Sequence, residues 1–103
     1  MKSYRQGDVL VVEVKAIPKG AQDVTGDSDI VLMHGELTGH AHRIKEPQDK
    51  VRLLDVQAER YLRVLQEATI RHEEHAPIVL REGRYKQAFQ VEDFGDEVRR
   101  VAD

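Results

Sequence analysis

Apolar and polar residues alternate over short runs along most of this chain, and turn-forming residues punctuate the runs at close spacing. "GDVLVVEVKAIP" opens with a turn at Gly7-Asp8 and continues as a strand. It is expected to lay Leu10, Val12 and Val14 on one face, to leave Glu13 and Lys15 to water, and to end at Pro18. "KGAQDVTGDSD" is turn chemistry throughout; its aspartates lack the spacing of a calcium loop, and it reads as a solvated connection. "DIVLMHG" is a second strand closed by Gly35, and "ELTG" a turn. In "HAHRIKE" the two-residue period puts His40, His42 and Ile44 on one face, toward the interior, and Ala41, Arg43 and Lys45 on the other. "PQDK" turns the chain into a further strand, "VRLLDV".

Residues 58–75 carry two patterns. Ala58, Tyr61, Leu62, Leu65, Ala68 and His72 recur at helical spacing, with Asp55 placed to cap a helix. The same residues divide into two strands, "RYLRVL" and "ATIRH", broken at Gln66-Glu67. Strands and turns on both sides favour the second reading. "APIVLREGRYKQAFQVEDF" then reads as a hairpin turning at Gly83, with Tyr85, Phe89 and Val91 inward beside Gln87, and "DEVRRVAD" as a last strand or tail. The expected architecture is a single all-β domain over residues 1–103, a small antiparallel barrel or sandwich, with one helix around 58–75 as the alternative.

Composition narrows the function classes. The 103 residues carry a net charge of −3, aromatics are 5%, and Trp is absent, so neither a basic field nor a stacking platform points to nucleic acid. There is no cysteine, which excludes disulfides and thiolate metal sites. No apolar run has the length of a signal peptide or a membrane span, and a cytoplasmic location is expected.

The chemistry concentrates in histidine. Four of the five histidines fall in two windows, "GELTGHAHRI" (His40, His42) and "RHEEHAP" (His72, His75). An H-x-H pair on a strand projects both imidazoles to one side, about 7 Å apart at the backbone. If the windows meet, three or four nitrogens surround one point. Such a donor set suits a divalent transition metal (zinc, nickel, iron, cobalt or copper) rather than magnesium or calcium. Glu36, Glu46, Glu73 and Glu74 are the neighbouring carboxylates, available to ligate or to orient a ring. Three bound histidines leave a position open for an activated water, with hydrolysis or isomerisation as the reaction class and Glu74 or Glu73 as the base. Four close the site as a structural cross-link. The alternatives are a metal-free module whose histidines hold a small polar or anionic ligand, and a homo-oligomer with histidines near its axis. "HEEHA" is not a zinc-protease helix, because that motif spaces its histidines four apart and position 76 is Ala76.

Two resemblances add to this. "GELTGHAHRIKE" resembles the first metal motif of the cupins, in which a glycine, H-x-H and a later glutamate are set along one strand; it implies ligand roles for His40, His42 and Glu46. The gap after Gly35 is one residue short, and Leu53 stands where the family has a glycine. Over residues 7–85 the chain is similar to small uncharacterised bacterial and phage proteins that share "GDV", "GE-TGH-H", "HEEH-PI" and a following "G-Y". That likeness implies a family and no activity.

Overall fold

A computed structural model of the chain describes residues 2–34, 39–89, 91–94 and 97–100, with backbone alone from residue 89 onward. Among them there is no helix. The strands are β1 (Ser3–Gln6), β2 (Val9–Val14), β3 (Gln22–Asp23), β4 (Ile30–His34), β5 (Ala41–Ile44), β6 (Val51–Val56), β7 (Glu59–Val64), β8 (Ala68–Arg71), β9 (Ile78–Leu80), β10 (Gly83–Phe89), β11 (Val91–Phe94) and β12 (Glu97–Arg100). They form a six-stranded sheet in the order β1-β2-β10-β7-β6-β3, a four-stranded sheet in the order β4-β5-β8-β9, and the separate pair β11-β12. Every pairing is antiparallel.

The two larger sheets stack as a sandwich. Val9, Val11, Val51, Leu62, Val64 and Tyr85 come from one side; Ile30, Leu32, Ile44, Ala68, Ile70 and Leu80 come from the other. Polar side chains also cross the gap. Gln87 Nε2 donates to Leu32 O at 2.9 Å, and Arg60 Nη1 donates to Val31 O at 3.1 Å.

Residues 58–75 are strands, so the helical alternative is not what the chain adopts. Both faces of β7 carry apolar residues: Leu62 and Val64 point into the core, while Tyr61 is buried on the opposite face, opposite Leu54. That double-sided burial is what imitated helical spacing. Asp55 lies in β6 opposite Arg60 rather than at a helix start.

Two further expectations are corrected. In β2 the fully buried residues are Val9 and Val11, whereas Leu10, Val12 and Val14 are half-buried. The run "VLVV" is apolar on both faces, and pairing with Tyr4 and Gln6 of β1 selects the face that turns inward. Gly83 does not turn a hairpin: β9 and β10 belong to different sheets, and the chain crosses the sandwich between them. The Tyr85 hydroxyl donates to Arg81 O at 2.8 Å and ties that corner. The inward placement of Tyr85 and Gln87 holds. The side chains of Phe89 and Val91, the "ELTG" turn apart from Gly39, and the last three residues lie outside the described residues.

The connection after β2 is fastened at β3. Asp23 accepts from Arg52 Nε at 2.8 Å and from the Thr25 N–H at 2.9 Å. Those contacts, Arg52 foremost, hold its carboxyl well below the usual carboxylate range. A depressed folded-state pKa contributes stability above the unfolded value of about 3.9, and that stability is lost as pH falls through the folded value. Both partners are partly exposed, so Asp23→Asn is expected to cost only about 0.5–1 kcal/mol near neutrality, measured by urea unfolding. Its deficit should shrink in acid.

Candidate metal centre

Strand alternation delivers the first candidate ligand. Ile44 belongs to the core, so His42, two residues before it in β5, turns inward too and is 5% exposed. A register shift between Val31 and Met33 sets Met33, not Leu32, opposite His42. His40 enters just after Gly39, whose φ of 73° is the left-handed conformation glycine adopts without a Cβ clash. The second window follows β8: His72 is the next residue after Arg71, and His75 lies in the connection that leads to β9.

The two windows meet. Ring centroids are 4.3 Å apart for His42–His72, 4.6 Å for His72–His75, 5.7 Å for His42–His75 and 5.7 Å for His40–His72. His42, His72 and His75 each bring a ring nitrogen within 4.8 Å of the other two, and so do His40, His72 and a Glu73 oxygen. His72 is common to both groups. Nitrogens on a tetrahedral zinc lie roughly 3.4 Å apart for bonds of about 2.1 Å, so closing the first group takes a movement of about 1.4 Å at most.

Gln6, which sequence reasoning missed, organises the centre from the opposite sheet. It is 3% exposed. Its Nε2 donates to Ile70 O at 3.0 Å and to Ala76 O at 2.8 Å. Only the NH₂ end of an amide can face two carbonyls, so the end 2.7 Å from His42 Nδ1 is the acceptor oxygen. His42 therefore carries a proton on Nδ1, and in the neutral ring Nε2 holds the lone pair that a metal needs. The same side chain grips the backbone on both sides of His72 and His75. No spacing rule points to Gln6, which is 36 residues from His42.

His72 Nδ1 accepts the Glu74 N–H at 3.0 Å. A metal ion on His72 must displace that donor or replace the proton on Nε2. Glu73 Oε1 accepts the Ala41 N–H at 3.0 Å, and its Oε2 is 3.7 Å from Arg43. The Ala41 N–H first, then Glu73's own N–H and Arg43, hold this carboxyl below its ordinary range. Glu74, largely exposed, lies 3.5 Å from His40 Nδ1.

Glu46 is in neither ligand group. It sits beyond the far end of β5, where Oε1 accepts the Thr69 N–H at 3.2 Å and Oε2 is buried without a hydrogen-bond partner among the described residues. His34, at the exposed end of β4, is likewise in neither group. Glu36 lies outside the described residues. A larger cleft of about 540 Å³, walled by Leu32, Met33, Arg60, Lys86 and Gln87 among others, includes none of the histidines.

Searches of curated proteins and of solved structures return no match to this chain. A family model does match, over residues 5–90, and that span holds Gln6, both histidine windows and strands β2 to β10. A family without an assigned activity is what the sequence likeness implied. The chain belongs to the family described as "Domain of unknown function (DUF8820)".

Proposed function

We propose that the domain binds one divalent transition-metal ion through His42, His72 and His75, with a coordination position left open. The observation that carries this is the convergence of three imidazole nitrogens within 4.8 Å, one of them on a buried ring whose protonated nitrogen is assigned by Gln6. Three nitrogens without thiolate favour zinc, cobalt, nickel, copper or iron(II) over magnesium or calcium. His40 stands with His72 and Glu73 rather than in the first group, which favours an open site over a closed four-histidine one.

An open site of this kind supplies an activated water near neutral pH, the chemistry of hydrolysis and of some isomerisations. Glu73 is engaged by the Ala41 N–H. Glu74, beside His40, is therefore the carboxylate assigned to proton transfer.

Elemental analysis of the purified full chain tests the reading. About one equivalent of metal is expected in the wild type and in His34→Ala, and a loss of most of it in His42→Ala. A folded His42→Ala protein that keeps full occupancy refutes the ligand set.

A further inference from the structure

The face of β5 turned away from His42 carries a second anomaly. Arg43 lies there, and in the β5–β8 ladder it is directly opposite Arg71. Like charges so placed repel across a sheet. Lys45 follows Arg43 two residues on, just past the end of the same strand. Among the described residues Arg43 has one acidic neighbour, Glu73 at 3.7 Å, already engaged with the Ala41 N–H. Among the described residues Lys45 and Arg71 make no ion pair, and Arg43 Nε is buried with no acceptor. Arg43, Lys45, Arg71, Glu73, Ala41 and His72 together line a cavity of about 190 Å³. Three cations against one carboxylate leave an excess of two positive charges, in a chain whose net charge is −3.

We infer that this cavity binds the anionic oxygen group, carboxylate or phosphate, of a small-molecule ligand, and presents that ligand to the histidine centre at their shared border, His72. Guanidinium forks on two directly paired residues that line one cavity match an oxyanion's several acceptors, and a bound anion relieves the repulsion between them. The cavity's volume accommodates one such group. That an anion binds here stands on the arginines alone; that it serves a metal-dependent ligand rests on the reading proposed above.

Titration of the full chain with inorganic phosphate, and separately with succinate, at matched ionic strength tests the inference. The Nε–H resonances of Arg43 and Arg71 are expected to shift saturably, and the melting temperature to rise by about 5 °C at ten times Kd. The tighter of the two anions identifies the group. Arg71→Glu sets an acid opposite Arg43; it should raise the melting temperature of the ligand-free protein while weakening anion binding at least about tenfold. Arg71→Gln provides the same binding test should that variant not fold. No saturable shift with either anion, or wild-type affinity in both Arg71 variants, overturns the inference. His42→Ala should still bind the anion. Anion binding without metal in any preparation defeats the metal reading alone, and metal without an anion response defeats this one alone.

Discussion

Chelation of the metal-loaded domain is expected to lower its melting temperature by roughly 15 °C when free metal had been held near a thousand times Kd. The size follows from linkage. A ligand that binds only the folded state at that ratio contributes about 4 kcal/mol, and a chain of this length gains several degrees per kcal/mol. The folded state alone brings the proposed ligands together, because His42 stands on β5 whereas His72 and His75 follow β8. Residual binding by histidines of the unfolded chain reduces the effect without reversing it. Thermal melts followed by circular dichroism, with and without EDTA, give the number, and magnesium serves as the ion that should have no effect. Acidification from about pH 7.5 to about pH 5.5 should erase the metal-dependent increment, since protons compete with the ion for the same nitrogens. A melting temperature indifferent to both metal and chelator would count against a metal that couples to folding.

Gln6→Leu should combine the largest loss of stability with a loss of metal affinity. Leucine fills much of the volume but returns none of the three hydrogen bonds made by the amide. Leaving buried acceptors without that donor costs about 1–3 kcal/mol each, so a total near 3 kcal/mol is expected by urea denaturation. With the support for His42 gone, metal affinity should fall about 10–100-fold. Gln6→Glu separates the two contributions. A carboxylate can still accept from His42 Nδ1 but cannot donate to Ile70 O or Ala76 O, so it should spare affinity more than stability. Wild-type stability in the leucine variant would show that the clamp is dispensable.

Outside residues 58–75 the strand architecture was legible because turn residues cut the chain into short runs, and because His40, His42 and Ile44 already displayed a two-residue period. The phase of β2 was not legible: valines on both faces leave the choice to β1 and β10, which lie far away in sequence. The same holds at Gly83, where a local turn signal cannot say whether the next strand joins the same sheet or the opposite one. At the centre, the histidines could be paired from spacing alone, but their support could not. Glu46 looked like a ligand by analogy of spacing; in the structure its Oε1 accepts the Thr69 N–H of β8. Gln6 had no local signature, because its three partners lie 36 to 70 residues away. The Arg43–Arg71 opposition likewise exists only once β5 and β8 are side by side.

The reach of Gln6 across the sandwich also orders events during biosynthesis. Gln6 leaves the ribosome well before the carbonyls it grips, Ile70 and Ala76, which emerge some 64 and 70 residues later. Contacts so distant along the chain form slowly, after local hairpins such as β6–β7. A nascent chain therefore has both histidine windows synthesised before the glutamine bridge can fasten them, and on the proposed reading uptake of an ion is expected at the closing stage of folding, not at its nucleation.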